Sequence, residues 1–368
     1  MDQNRLSLLA LHFIPGLGDY TIRQLISYCG SAEAVFRMPP GKLKRIPGVG
    51  QITARMIRSG NPFQSAEREL QLAQKEGVSL VFITDAHYPS RLKHLHDAPT
   101  LLYIRGSIDF ENPRAVGIVG TRNATDYGKD CVYSLIEGLQ TFNPIIISGL
   151  AYGIDIHAHK AAIQRNLPTA GILGSGVDVI YPAMHAQTVE RMVANGGIVS
   201  ENPMGTKPDA HRFPSRNRII AGLCDALVVV EAATQGGALI TADIANSYNK
   251  DVFAFPGNIG RCYSEGCNNL IRNNQAMLIT NAHDLATAMN WTEETRVQKE
   301  KKILPENLGP EMGAIMAALQ NNNDQLPLDQ LSWTTSITVG KLAALLLELE
   351  IMGAVKAIPG KIYQLVRR

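Results

Sequence analysis

Long apolar segments and paired cysteines are both missing from this sequence of 368 residues. No apolar run reaches the roughly 18–20 residues that a membrane-spanning helix needs. The amino-terminal stretch has no small-residue cleavage site, so it predicts a helix and not a signal peptide. The five cysteines (29, 131, 224, 262 and 267) are odd in number and mostly far apart. This spacing is typical of a reducing compartment, and we expect a cytoplasmic protein without a membrane span.

Cysteines and histidines also do not form a recognisable metal motif. Cys262 and Cys267 are close in sequence, but no nearby His or Cys completes a tetrahedral set of ligands. His157 and His159 are two residues apart in a predicted helix and therefore point to different faces. We expect structural roles for these two histidines, and no metal site.

Sequence patterns for nucleotide cofactors are absent as well. No Walker A lysine pattern occurs, and Gly117, Gly120 and Gly128 do not fit the spacing G-x-G-x-x-G. No nucleophile–base pair and no catalytic pair of carboxylates follows the predicted strands. We therefore expect no cofactor and no enzymatic activity.

An excess of charge of one sign is missing from the chain as a whole. The 35 Lys and Arg residues oppose 33 Asp and Glu residues, and this net charge of +2 excludes a polybasic protein. Residues 1–65 contain 8 basic and 3 acidic residues, whereas residues 66–305 contain 22 and 24. The basic excess therefore lies near the amino terminus.

Two similar segments lie in this basic region. LHFIPGLGDYTIRQLI (11–26) and LKRIPGVGQITARMIR (43–58) both combine a Pro-Gly-apolar-Gly turn with a helical pattern. The pattern is typical of helix-hairpin-helix units, whose turns expose backbone N–H groups to phosphate. Two interpretations stay open for the second turn, helix packing or a secondary DNA contact. The residues for such a contact are Lys44, Arg45, Gly48 and Gly50.

Residues 66–290 alternate between strand and helix patterns. Apolar, β-rich runs occur at 78–84, 115–120, 144–149, 169–174, 196–201, 226–232 and 251–257. The alternation predicts right-handed crossovers and a doubly wound parallel sheet of the α/β class. Ligands of such sheets bind at the carboxyl ends of the strands.

Three turns at these strand ends suit an anion. Arg122 offers a guanidinium that matches the geometry of a phosphate, and Ser148 offers a hydroxyl. The candidates in these turns are Gly120, Thr121, Arg122, Ser148, Gly149 and Gly174.

A basic segment with an aromatic residue follows the strand at 196–201. Cations that hold the backbone and a ring that stacks on a base suit single-stranded nucleic acid. The alternative is that some of these arginines pair with carboxylates such as Glu201 and Glu231. The candidate residues are Lys207, Arg212, Phe213, Arg216, Asn217 and Arg218.

The last part of the chain predicts a small separate unit. Residues 291–310 are polar and typical of a linker. Residues 311–368 combine helical patterns with a possible hairpin at 354–366, the outline of a winged helix. Its second helix contains one basic residue, Lys341, which favours packing or protein interaction over DNA contact.

The motifs of the central region resemble those of the DNA-processing protein A family, also called DprA or Smf. They are GTRNATDYG, SGLAYGID, LGSGVDVIYP, FPSRNRIIAGL, GGALITA, VFAFPG and GCNNLI, in this order. The resemblance implies an extended Rossmann-like sheet between an amino-terminal helix-hairpin-helix or SAM-like domain and a winged helix. The domains would be 1–65, 66–290 and 311–368, with the linker 291–310.

The resemblance also implies a function. Members of the family bind incoming single-stranded DNA during natural transformation, protect it and load the recombinase RecA without ATP hydrolysis. The Arg122 turn, Ser148, Gly149 and the segment around Phe213 would contact the DNA. The family forms homodimers, and the implied dimer region, 266–279, contains Asn268, Leu270, Ile271 and Met277.

A rival interpretation is an enzyme of the lysine-decarboxylase-like group, which cleaves nucleoside monophosphates. Its PGGxGTxxE signature would fall on ATQGGALITAD (233–243), where the Glu is absent. We therefore favour the DNA-binding interpretation.

Overall fold

The structure is a computed structural model, which describes residues 3–59, 61–291, 309–320, 322, 325–358 and 360–366. The chain forms two compact units, Met1–Glu293 and Glu294–Arg368. Most of the predicted linker 291–310 lies outside the described residues. No helix in the described ranges is long and apolar enough to cross a membrane.

Helices form the part of the first unit that precedes the sheet. They are α1 (Gln3–His12), α2 (Asp19–Cys29), α3 (Ala32–Arg37), α4 (Pro40–Leu43), α5 (Gln51–Ser59) and α6 (Pro62–Lys75). The two predicted turns join α1 to α2 and α4 to α5. Gly16 has a φ of 76° and Gly48 has a φ of 82°, a left-handed conformation that glycine adopts without strain. Both copies of the repeat therefore use the same turn.

A nine-stranded sheet forms the centre of the first unit, with the order β1-β2-β6-β5-β4-β3-β7-β8-β9. Its strands are β1 (Ser79–Phe82), β2 (Leu101–Gly106), β3 (Ala115–Val119), β4 (Ile145–Ser148), β5 (Thr169–Ile172), β6 (Gly196–Ser200), β7 (Ala226–Val229), β8 (Asp251–Ala254) and β9 (Met277–Leu278). In this spatial order, every neighbouring pair from β6 through β5, β4, β3, β7 and β8 to β9 is parallel. This arrangement confirms the predicted doubly wound sheet.

One edge of the sheet differs from the prediction. The strand β2 was not predicted, and it pairs antiparallel with both β1 and β6. The connection from β1 to β2 contains only the short helix α7 (Ser90–Lys93), so no crossover helix returns the chain to the starting end of the sheet.

Helices cover both faces of the parallel part. They are α8 (Asp126–Leu139), α9 (Ile154–Gln164), α10 (Ala186–Val193), α11 (Arg212–Leu223), α12 (Gly237–Ser247), α13 (Glu265–Arg272) and α14 (Ala282–Ala288). The chain runs from β3 outward to β4 and β5, and later returns to the other side of β3 with β7. The strand order therefore reverses at β3, where ligands of doubly wound sheets bind.

The amino-terminal helices pack directly against the sheet. One hydrophobic core joins Leu8 and Leu25 to Phe82 and Tyr103 of the antiparallel edge. The two sides of the predicted boundary at residue 65 thus belong to one compact unit, and the boundary itself stays a prediction.

The second unit contains helices and a small antiparallel sheet. The elements are α15 (Pro310–Gln320), β10 (Gln325–Pro327), α16 (Leu328–Thr335), α17 (Val339–Ile351), β11 (Val355–Ile358) and β12 (Ile362–Leu365). The sheet order is β10-β12-β11, and Leu331, Leu342 and Leu346 lie in the core. Helices followed by this hairpin confirm the predicted winged-helix outline.

Candidate nucleic-acid interface

The turn after β3 is held rigidly by its neighbours. The Thr121 N–H donates to the Glu231 carbonyl (2.7 Å), and the Thr121 carbonyl accepts from the Ile154 N–H (3.1 Å). A Cβ on Gly120 would lie 3.0 Å from the Glu231 carbonyl oxygen and even closer to Ile154, so this position has no room for a side chain. The turn is thus fixed between the loops after β4 and β7, while the Arg122 side chain remains exposed.

Arg122 lies beside aromatic rings. Its guanidinium carbon is 5.6 Å from the centroid of the Phe213 ring, and the Phe213 and Tyr181 centroids are 5.9 Å apart. The half-exposed rings of Tyr152 and Tyr181 border the same surface. A cation beside solvent-accessible rings is the combination that binds single-stranded nucleic acid.

The two tyrosines were not predicted as site residues. The available signal was their place in the loops after two parallel strands: Tyr152 follows β4 and Tyr181 follows β5. Strand-end loops place their residues near the ligand whatever their type.

Arg216 lies beneath this surface. Its Nη1 donates to the Ile172 carbonyl, and both Arg216 and Asp155 approach Gly149 so closely that a Cβ there would clash with each. Burial lowers the pKa of Arg216 to about 10 and raises the pKa of Asp155. Within the described part of the chain, the Arg216 Nε has no hydrogen-bond partner, so one buried donor is unused beside the site.

Gly174 and its neighbours close the site on a third side. A Cβ at Gly174 would lie 3.3 Å from Phe213 Cδ1, so glycine lets the ring approach the backbone. The depression between Arg122, Phe213 and Arg216 holds about 30 Å³. This volume suits a phosphate oxygen better than a whole nucleotide, since ligand pockets usually hold roughly 300–1,000 Å³.

Ser148 is not exposed at this surface. It is completely buried, and its hydroxyl donates to the Ile118 carbonyl at 2.6 Å. Next to it, the Gly149 carbonyl is 2.5 Å from Nε2 of the buried His159, whose Nδ1 is 2.7 Å from Thr169 Oγ1. Burial lowers the pKa of His159 to about 4, so the imidazole is neutral and its Nε2–H donates to Gly149. The structural role predicted for His159 is confirmed.

Asn217 and Arg218 are directed away from the Arg122 surface. Asn217 donates to the Gly237 carbonyl (3.3 Å), and Arg218 donates to the Asp97 carbonyl (2.5 Å). Arg218 also forms an ion pair with Glu201, so the alternative weighed for this segment is confirmed at Arg218. Despite that pair, burial raises the pKa of Glu201 to about 7.

Lys207 is exposed on the loop before α11, and Arg212 is exposed at the first residue of that helix; the start of the loop is held by two carboxylates. The Glu69 carboxylate accepts from the Met204 N–H (2.7 Å), and the Asp178 carboxylate accepts from the Gly205 N–H (2.8 Å). Arg212 Nη1 donates to the Lys207 carbonyl at 3.2 Å. The structure therefore brings Lys207, Arg212, Phe213 and Arg216 to one end of the sheet with Arg122.

The two amino-terminal turns have different surroundings. In the first, Asp19 accepts from the Thr100 N–H (2.8 Å), which ties the start of α2 to the sheet. In the second, Lys44, Arg45 and both glycines are exposed. The glycines are exposed in both turns, but the first has the Asp19 carboxylate at its helix start, whereas the second has exposed cations beside it.

The predicted dimer residues separate into buried and exposed positions. Asn268 donates to the Gly257 carbonyl (2.9 Å), and Leu270 and Ile271 pack in the core. Met277 of the edge strand β9 is 57% exposed, and the adjacent Leu278 is 47% exposed. The apolar surface at this edge therefore comes from β9.

Two further features concern ions. In the second unit, Lys341 forms an ion pair with Glu311 (2.6 Å) on an exposed face. Among the described residues, no group of three or more His, Cys, Asp or Glu side chains could hold a metal.

Similar proteins identify the family. Residues 79–290 match the family model of DNA recombination-mediator protein A, and residues 299–361 match the DprA winged helix domain. The Smf protein of Synechocystis is 34% identical over 97% of both chains. The DNA processing protein DprA of Streptococcus pneumoniae is 39% identical over 55% of this chain and 71% of its own length.

Solved structures agree with this assignment. The X-ray structure of DprA from Streptococcus pneumoniae has a TM-score of 0.64 and 32% identity, over 78% of this chain and 98% of that one. The DNA processing protein A of Helicobacter pylori, described for its single-stranded DNA binding mode, has a TM-score of 0.53 and 28% identity, over 58% and 95%. This chain belongs to the DprA/Smf family of DNA processing proteins.

Proposed function

We propose that this protein binds single-stranded DNA at the carboxyl ends of β3, β4 and β5 and acts as a recombination mediator. The observation that carries the proposal is the exposed Arg122 guanidinium beside Phe213, with Arg216 beneath them. Arg122 would contact a phosphate, and Phe213 or Tyr181 would stack on a base. The DNA-binding relative from Helicobacter pylori supports this assignment.

We propose a binding protein and not an enzyme. The signature of the nucleotide-cleaving alternative would require a Glu within 233–243, and that segment has none. Gly236 instead directly precedes α12, whose first residue is Gly237.

Two finer parts of the proposal concern partners. Homodimers would form through the exposed β9 edge, and the bound strand would be handed to RecA in the cytoplasm. The apolar Met277 and Leu278 on an edge strand support the first part. The second rests on membership of the family.

Strand preference tests the proposal. Fluorescence anisotropy of the full chain with labelled oligothymidylate and with a duplex of equal length should give tighter binding of the single strand. The affinity should fall with salt by a slope of about −0.7 per phosphate contacted. Equal affinity for the two forms, or none at low salt, would overturn the proposal. For the RecA part, the protein should speed RecA assembly on strands already coated with single-strand-binding protein.

A further inference from the structure

A second cleft lies on the other flank of the Arg122 turn. It has a volume of about 690 Å³ and lies beyond the carboxyl ends of β7 and β8. One wall is the segment with Thr125 and Tyr127, and the other is the loop 256–264 before α13. Its volume falls within the range of pockets that hold a small ligand, roughly 300–1,000 Å³.

The groups lining this second cleft suit a nucleotide. Arg261 is exposed and Asn258 lies near it, and neither side chain has a hydrogen-bond partner among the residues that the structure describes. Tyr127 and Tyr263 offer ring surfaces. The carboxylate of Glu231, which also lines the cleft, accepts from the Thr125 N–H (2.9 Å) and hydroxyl (2.6 Å), so its oxygens are already occupied.

A short ridge connects the second cleft to the Arg122 surface. Residues 121–125 form it, with Arg122 lining the depression on one side and Thr125 lining the cleft on the other. Across the ridge, the Asn123 side chain donates to the Tyr263 hydroxyl at 3.0 Å. A strand held at Arg122 that crosses the ridge would therefore arrive at Tyr263 and Arg261.

We propose that the second cleft binds further nucleotides of the same single strand, with Arg261 at a phosphate and Tyr127 and Tyr263 against bases. This inference rests on the proposed function and names where the strand continues. Stacking on tyrosine is tolerant of sequence, as a protein that accepts any incoming strand requires.

Cys262 provides a direct probe, because it lines the second cleft and is the one exposed cysteine of the five. Alkylation of Cys262 in the full chain should be slowed at least several-fold by saturating long oligothymidylate. The shortest oligothymidylate that still binds should leave its rate nearly unchanged, since it fills the Arg122 surface alone. Mass spectrometry of the Cys262 peptide measures both rates.

A pair of arginine variants gives the second measurement. Arg261→Ala should weaken binding of the long strand roughly threefold to tenfold and reduce the salt slope by about 0.7, the loss of one phosphate contact. Arg191→Ala removes an exposed arginine on α10 that does not line either site, and it should leave affinity and slope unchanged.

The outcomes separate this inference from the proposed function. Failure of the unmodified protein to bind any oligothymidylate would overturn both. A different combination of results would overturn the second cleft alone. In it, the protein binds the strand tightly and Arg122→Ala weakens binding, but the strand does not protect Cys262, and Arg261→Ala has the same affinity as Arg191→Ala. Protection of Cys262 by a free mononucleotide but not by a strand would also contradict it.

Discussion

Neighbouring arginines in the segment 212–218 have different roles. Arg212 is exposed, Arg216 is buried beneath the site, and Arg218 is paired with Glu201. Arg216 and Arg218 are two apart in α11 and therefore lie on different faces, whereas Arg212 is the exposed first residue of the helix. From the sequence, we could predict that the segment is basic and that some of its arginines bind the ligand while others pair with carboxylates. Which arginine pairs with Glu201 depends on the position of α11 against the sheet, and the sequence does not show this.

Arg218 should matter for stability and not for DNA. Its side chain is 18% exposed and that of Glu201 is 16% exposed, so Arg218→Ala leaves a buried carboxylate without its cation. We expect the free energy of unfolding to fall by about 1–3 kcal/mol, the cost of leaving the Asp97 carbonyl and the Glu201 carboxyl without their donor. Urea unfolding measures this loss, and anisotropy at a temperature where the variant is folded should give unchanged affinity. Arg212→Ala is the matched control with the opposite result, weaker binding at normal stability.

His159 should make the protein sensitive to acid. Its pKa is lowered from 6.5 to about 4 by burial, so the folded state favours the neutral ring. The contribution to stability is complete above pH 6.5 and is lost as the pH falls toward 4, at most about 3 kcal/mol for this shift. In His159→Gln, denaturant midpoints measured across this range should fall less steeply than in the unmodified protein. His211→Gln, at an exposed position, is the control, and an unchanged slope in His159→Gln would contradict the assignment.

The two amino-terminal turns share a local sequence pattern but have different neighbours. The two glycine turns have nearly equal φ angles and exposed glycines, yet in the first the Asp19 carboxylate at the helix start is bound to Thr100. The repeat and its turn geometry were predictable from the sequence, because the Pro-Gly-apolar-Gly pattern requires them. The bond from the first copy to Thr100 was not, since it joins residues 81 apart.

The exposed second turn should add a weak DNA contact. Lys44→Glu replaces a cation beside the turn, and we expect affinity for DNA to fall severalfold at low salt and to recover as salt screens the charge. Lys75→Glu makes the same charge change at an exposed position of α6 and should have little effect. Equal affinities for the two variants in a low-salt titration would show that the turn serves only in packing.

The β9 edge should carry the homodimer. Met277 and Leu278 are exposed on a short edge strand, where apolar side chains favour pairing with a second copy. Met277→Asp should give a monomer at micromolar concentration, measured by light scattering. Met184→Asp, at a more exposed methionine near α10, should remain dimeric. A monomeric unmodified protein would contradict this interface.

Over the whole molecule, net charge is a poor guide to the position of the DNA site. The amino-terminal 65 residues hold the basic excess, whereas the candidate site lies in the region with 22 basic and 24 acidic residues. The fold resolves this, because Asp155 is buried and Glu201 is paired with Arg218, while Arg122, Lys207 and Arg212 are exposed at one end of the sheet. The parallel sheet could be predicted from its continuous apolar runs. The antiparallel edge could not, because it depends on how distant segments pack, whereas the two site tyrosines could have been found from their place in strand-end loops.

The central claim is that the Arg122 surface holds the single strand, and one comparison tests it most directly. Affinity for oligothymidylate should be measured by anisotropy for Arg122→Ala and Arg191→Ala, two variants with the same change of charge. We expect a loss of about 1–3 kcal/mol in binding free energy for Arg122→Ala, the cost of a charge-assisted contact, and none for Arg191→Ala. A correctly folded Arg122→Ala variant with the affinity of the control would contradict the account.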